Sequence, residues 1–239
     1  MTLIGQRSGL MINWQDDKDV FGRMFVLTGN PIFNNLRNAS DMNYADLTDA
    51  LSWGQLKSKR WLVETLECGH WNLETVFLCG GWYATLAAMM LDANLAIKKI
   101  RSFDIDPLCE SVAETVNKHH VKDDWRFKAS TLDIHDLRYD NFRYTTKRSD
   151  GSEVELTETP NTIINTSCEH IENFAEWYAK IPNGKLVVLQ SNDYFEVPDH
   201  INCSADLDTF SKSAPMSDVK FEGELFLSNY TRFMKIGYK

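Results

Sequence analysis

The segment "ETVFLCGGWYATLAAMMLD", Glu74 to Asp92, decides how the rest of the chain is read. A β-prone run, Thr75 to Cys79, meets Gly80 and Gly81, and the apolar stretch beyond them predicts a helix from about Ala84 to Lys98. A strand that turns through glycines into a helix opens a βαβ unit, where the missing Cβ lets backbone N–H groups approach a ligand. A packing turn needs the same glycines, and Trp82 and Tyr83 stand where ligand-binding turns usually keep spaced glycines.

The alternation continues downstream. A second strand fits Lys99 to Ile105; its helix is signalled by Asp106 as cap, Pro107 at the first helical position, and Leu108, Val112 and Val116 at helical spacing. A third strand fits Trp125 to Ser130. Residues 142–158 hold two β-prone arms around Ser-Asp-Gly-Ser and predict a hairpin insertion. A fourth strand, Asn161 to Ser167, leads into a helix in "EHIENFAEWYAKI", which Pro182-Asn183-Gly184 stops; a fifth spans Lys185 to Ser191. After a short helix around Ser204 to Lys212, Val219, Phe221, Leu225 and Leu227 share one parity, and a β-prone run from Thr231 to Tyr238 follows almost at once. So brief a turn forces an antiparallel pair.

The pattern predicts an α/β, doubly wound, mostly parallel sheet closed by a C-terminal antiparallel hairpin, over residues 61–239. Residues 1–60 fit the alternation poorly and read as a helical N-terminal extension or lid, with helices in "MNYADLTDAL" and "WGQLKSKRWLVETLE".

Composition narrows the function classes. The chain has 239 residues, 43% of them hydrophobic, and a net charge of −9, which disfavours a polyanion such as nucleic acid despite Lys57, Lys59 and Arg60. Cys68, Cys79, Cys109, Cys168 and Cys203 contain no C-x-x-C pair and read as reduced thiols in a cytoplasmic protein. "MTLIGQRSGLMINWQDDKD" lacks the apolar stretch of a signal peptide, and no run reaches the roughly 20 apolar residues that span a bilayer, so no membrane partner is expected.

In doubly wound sheets, ligands settle beyond the carboxyl ends of the strands. Gly80 and Gly81 end the first strand. Asp104 ends the second, at about the interval from the glycines where an acid accepts hydrogen bonds from a ribose, and Asp106 already supplies the helix cap. Asp133 follows the third strand, where it can accept from an exocyclic amine while Leu132 or Ile134 flanks a flat ring. "NTSCEHI" brings Asn165, Ser167, Glu169 and His170 to the end of the fourth, with His170 a candidate general base. Cys68 with His70, and His119-His120, lack carboxylate support, so no metal site is expected.

From about residue 60 onward the chain resembles the class I S-adenosylmethionine-dependent methyltransferases, whose Rossmann-like sheet has seven strands with the last two in a hairpin. Against the family's acid followed by three glycines at alternate positions, "LCGGWYA" places Gly80 first, with Leu78 for the acid, Trp82 for the second glycine and Ala84 for the third. "SFDIDPL" puts Asp104 at the ribose-binding acid, and "EHI" is similar to the Glu-His of many small-molecule methyltransferases. The resemblance implies S-adenosyl-L-methionine as cofactor, with Cys79, Gly80, Gly81, Asp104, Ile105, Asp133, Ile134 and Asn165 around it. It also implies His170 and Glu169 as catalytic residues and a small-molecule acceptor between the fourth-strand loop, residues 192–200 and the extension. Two alternatives stay open: another S-adenosylmethionine reaction, such as aminocarboxypropyl transfer or a lyase reaction, and a non-catalytic subunit that keeps the fold.

Overall fold

The computed structural model describes residues 14–42, 44–123, 125–148 and 150–239, so most of the N-terminal stretch read for a leader lies outside them. Among the described residues four helices come first: α1 (Trp14–Thr28), α2 (Pro31–Ser40), α3 (Leu47–Ala50) and α4 (Trp53–Gly69). Then β1 (Asn72–Cys79), α5 (Thr85–Asp92), β2 (Ala96–Asp104), α6 (Pro107–Val116), α7 (Lys118–Lys122) and β3 (Phe127–Thr131) alternate. A separate antiparallel ribbon, β4 (Phe142–Lys147) with β5 (Glu153–Glu158), is the expected hairpin insertion. β6 (Thr162–Asn165), α8 (Phe174–Lys180), β7 (Leu186–Asn192), α9 (Leu207–Ser213), β8 (Asp218–Phe226) and β9 (Thr231–Tyr238) complete the chain.

The seven-stranded sheet has the order β3-β2-β1-β6-β7-β9-β8. All pairs are parallel except those of β9, which runs antiparallel to both β7 and β8. Strand order reverses between β1 and β6, and that crevice is where ligands bind in such sheets. Strict alternation along β1 sends Val76 and Leu78 into one core with Leu62 and Leu66 of α4, and Phe77 and Cys79 into the other with Trp177 of α8. Both faces are therefore covered, as a doubly wound sheet requires.

Several local expectations are corrected. The helix after the glycines stops at Asp92, because residues from Ala96 onward are recruited as the start of β2, pairing in parallel with β1. "EHIENFAEWYAKI" is not one helix: Cys168–His170 form a 3-10 turn, Ile171 is extended, and Asn173 in the left-handed region (φ 50°) restarts the chain as α8. The buried side of α6 carries Cys109, Val112 and Val116, whereas Leu108 is exposed. In the extension, α1 and α2 form where no helix is predicted, and α4 runs as one helix across position 60 into the core of the sheet.

Candidate cofactor and acceptor site

The turn after β1 holds three residues at alternate positions in the left-handed region: Gly80 (φ 63°), Trp82 (φ 48°) and Ala84 (φ 50°). Only glycine enters that region without a Cβ penalty, which for other residues is about 1–2 kcal/mol. The backbone thus follows a path that three alternating glycines would take without strain, with tryptophan and alanine at two of the positions. Gly81 between them is needed for space, since a Cβ there would lie 2.0 Å from Ser102 Oγ.

Hydrogen bonds over-determine this path. Gly81 N–H donates to Phe103 O (3.1 Å), Ala84 N–H to Gly81 O (2.8 Å), Asn117 Nδ2 to Ala84 O (3.1 Å), and Trp82 N–H to Asp104 Oδ2 (2.7 Å). Asp104 Oδ1 accepts from Asp106 N–H (3.1 Å), and the Asp106 side chain caps Leu108 N–H (2.9 Å). Asp104 therefore has a structural task that the sequence did not reveal: each oxygen already accepts one backbone N–H, and each keeps a second lone pair.

The aromatic pair in the turn fastens the extension. The Trp82 and Tyr83 rings stack at 4.7 Å, and the Tyr83 hydroxyl accepts from Asp46 N–H (3.2 Å) and lies within reach of Tyr44 O (3.5 Å). Tyr83 is buried with Leu36, Ala39, Leu47 and Ala50 from the extension and Val112 and Val116 from α6. Asn35 of α2 adds Nδ2–H to Val116 O at 3.0 Å.

Other expected cofactor residues divide into side chains at the crevice and side chains in the core. Ile105 is exposed next to Asp104, and together with Leu108 gives the β2 end an apolar lip. Asp133 is half-buried and its Oδ1 accepts from His135 N–H (2.8 Å). The Ile134 side chain packs into the core and cannot flank a ring; Leu132 is left for that position. The Cys79 side chain also turns into the core, its Sγ 3.6 Å from the Tyr139 hydroxyl, and burial pushes its thiol up to about 12. Asn165 is fully buried; its Oδ1 accepts from Ser167 N–H (2.8 Å) and its Nδ2 has no partner.

Beyond β6 and β7 lies a buried polar cluster. Glu169 Oε1 accepts from Arg232 Nη1 (2.5 Å) and Asn192 Nδ2 (2.7 Å), so Glu169 is one half of a buried ion pair rather than a freely accessible base. Arg232 Nη2 also donates to Thr166 O at 3.2 Å. Burial works against the Arg232 charge, but Glu169 and further neighbours more than offset it, and the guanidinium pKa lies above its ordinary value. Lys59 of α4 is also buried, bonded to Gln55 Oε1; burial first, and then the Arg232 charge, lower it to about 7. Gln190 Nε2 donates to Ser58 O (3.2 Å), tying α4 to β7. His170 is exposed, its Nδ1 3.0 Å from Asp199 O.

Arg232 and Lys59 were not among the expected site residues; Asn192 and His200 are the two ends of the loop expected to border the acceptor, though neither was singled out. A signal for Arg232 exists in the sequence: it is a charge inside the otherwise mostly apolar run Thr231 to Tyr238, and a buried strand tolerates such a charge only with a partner. Its partner Glu169 is 63 residues away and is identified by the fold alone.

No family model and no curated protein matches the sequence. Solved structures do match the fold. A magnesium protoporphyrin IX methyltransferase (ChlM) from Synechocystis, solved with bound SAH, superposes over 94% of this chain and 100% of its own, with a TM-score of 0.55 and 13% identity. This is the class I methyltransferase fold. The N-methyltransferase NodS from Bradyrhizobium japonicum matches 77% of this chain and 95% of its own, with a TM-score of 0.52 and 10% identity. A 1,6-didemethyltoxoflavin-N1-methyltransferase from Burkholderia thailandensis, solved with its substrate and S-adenosylhomocysteine, covers 84% of this chain and 87% of its own at 8% identity and a TM-score of 0.54. At these identities the likeness is one of architecture, and in the class I methyltransferase fold the crevice between β1 and β6 is the place to test for a ligand.

Proposed function

We propose that the chain is an S-adenosylmethionine-dependent methyltransferase acting on a small-molecule acceptor. The observation that carries this reading is the turn after β1: left-handed backbone at Gly80, Trp82 and Ala84, held by Asp104 at the β2 end. Strained backbone persists where the surroundings over-determine it, and such places cluster at ligand sites. The neighbours with bound S-adenosylhomocysteine and small-molecule substrate support the cofactor and acceptor classes.

In this reading Gly80 and Gly81 give backbone access to the amino acid portion, Asp104 accepts from the ribose hydroxyls through its remaining lone pairs, and Asp133 with Leu132 and the exposed Ile105 receives the adenine. The sulfonium supplies an activated methyl group, so the protein contributes mainly position and exclusion of water. The acceptor would lie against Lys59, Arg232, Asn192 and His170, with Lys59, lowered to about 7, able to take a proton at neutral pH. The extension, docked on Tyr83, would cover the crevice as a lid.

Calorimetric titration with S-adenosylmethionine tests the reading. Binding to wild type, weakened at least tenfold in Asp104→Ala, is expected from losing a charge-assisted hydrogen bond of about 1.5–3 kcal/mol. Absence of binding at roughly millimolar cofactor, about −4 kcal/mol, would leave the non-catalytic reading. Product analysis separates the two chemistries: S-adenosylhomocysteine marks methyl transfer, and methylthioadenosine marks aminocarboxypropyl transfer, the alternative that the altered turn at Trp82 and Tyr83 raises.

A further inference from the structure

Glu169, His170 and His200 each offer one ligand atom, and these three atoms lie within 4.8 Å of one another. Glu169 and His170 come from the 3-10 turn after β6, and His200 from the loop after β7, so two crossover connections converge on one point. The His170 and His200 rings meet edge to face with centroids 4.6 Å apart.

The hydrogen bonds around them leave ligand electrons free. His170 Nδ1 faces Asp199 O at 3.0 Å, and His200 Nδ1 faces Tyr194 O at 2.8 Å. A carbonyl oxygen only accepts, so in each neutral ring Nδ1 carries the proton and Nε2 keeps its lone pair. Metal-binding imidazoles are commonly fixed in this way, by donating the other ring N–H to a carbonyl or carboxylate. Glu169 Oε1 is fully engaged by Arg232 and Asn192, which orients the carboxylate, while Oε2 is buried with no hydrogen-bond partner. An unpaired carboxylate oxygen in a residue that is 2% exposed is costly without a hydrogen-bond donor or a cation beside it, and Arg232 and Asn192 both engage the other oxygen.

The other such group in the described residues, Asp92 with His119 and His120, is different. There Asp92 Oδ1 is bonded to His120 Nε2 (3.1 Å), and Asn35 Nδ2 donates to His119 Nδ1 (2.8 Å), which uses that ring's lone pair and leaves the proton of the neutral imidazole on Nε2.

We infer that Glu169 Oε2, with His170 and His200 through the ring nitrogens left with lone pairs, binds one divalent first-row transition cation. Two imidazoles and one carboxylate suit zinc, manganese, iron or cobalt better than magnesium or calcium, which prefer oxygen alone. His170 is exposed, so coordination positions stay open on that side for a further ligand. The expectation of no metal site considered only pairs near each other in sequence; His200 reaches Glu169 and His170 through the fold. The use of the cation, polarising the nucleophilic atom of an acceptor, rests on the methyltransferase reading, whereas its binding does not.

Titration of the metal-free protein with cobalt(II) alone, followed by visible absorbance and equilibrium dialysis, tests the site. One equivalent is expected to bind. Affinity should fall by more than roughly 100-fold, beyond the cost of losing an outer partner, in both His170→Ala and His200→Ala. His119→Gln should bind as wild type does. His170 is exposed and His200 half-buried, so both variants should keep the wild-type circular dichroism. Absence of binding at roughly millimolar cobalt, or wild-type affinity in either alanine variant, would overturn the site. Cofactor titration of the same metal-free protein is a separate readout, so failure of the metal site and failure of the methyltransferase reading are told apart.

Discussion

Asp104 Oδ2 accepts a 2.7 Å hydrogen bond from the backbone N–H of Trp82, joining the end of β2 to the turn after β1 across 22 residues. The bond fixes a left-handed tryptophan (φ 48°) in the turn after β1. One carboxylate thereby holds the turn after β1, a role separate from the ribose contact proposed for it.

Asp104→Asn keeps an amide oxygen for one backbone N–H but loses the charge. Stability is expected to drop by about 1–2 kcal/mol in urea unfolding, with Asp104→Ala losing more because two N–H groups then lack an acceptor. Equal stability of the alanine variant and wild type would show that the turn does not depend on this carboxylate.

Trp82→Gly and Trp82→Ala lose the same indole and differ mainly in backbone freedom. With φ at 48°, the glycine variant should be the more stable of the two by about 1 kcal/mol, less a small entropy cost in its unfolded state. The opposite ranking would remove the left-handed turn from the account.

Tyr83→Phe deletes the hydroxyl that meets Asp46 N–H and Tyr44 O while keeping the ring in its cluster. A loss of about 1 kcal/mol is expected, with faster proteolytic cleavage between α2 and α3. Unchanged cleavage kinetics would mean that the extension is held by packing alone.

Lys59 titrates near 7 in the folded protein, against 10.5 ordinarily, with Gln55, Arg232, Asp49 and Glu169 around it. Between those values the unfolded chain binds more protons than the folded one, so this lysine makes stability rise with pH across the window and lowers it as pH falls towards 7. In chelator-treated protein, the stability difference between Lys59→Met and wild type should therefore shrink as pH rises from roughly 7 to 10. A difference constant with pH would show that Lys59 is charged throughout.

The order of strands and crossover helices was legible from local pattern, because each strand carries its β-prone run and each crossover its own start and stop signals. Asp106 with Pro107 marked the α6 start without help from the fold, since a cap acts within a few residues. Local pattern failed where distant partners overrode it. Residues from Ala96 were drawn from a predicted helix into β2 by pairing with β1, and Glu169 was drawn out of a predicted helix by Arg232.

The doubly wound sheet, its closing hairpin and the inserted ribbon follow from hydrophobic periodicity and turn chemistry, which act over short stretches of chain. The tertiary structure alone decided what the turn residues and the charges do. It gave Trp82 a glycine's backbone, made Tyr83 the anchor of the extension, and paired Glu169 with Arg232. It also set His200 beside His170, since hydrogen bonds, ion pairs and ligand sets are settled by distance in space, which separation along the chain does not reveal.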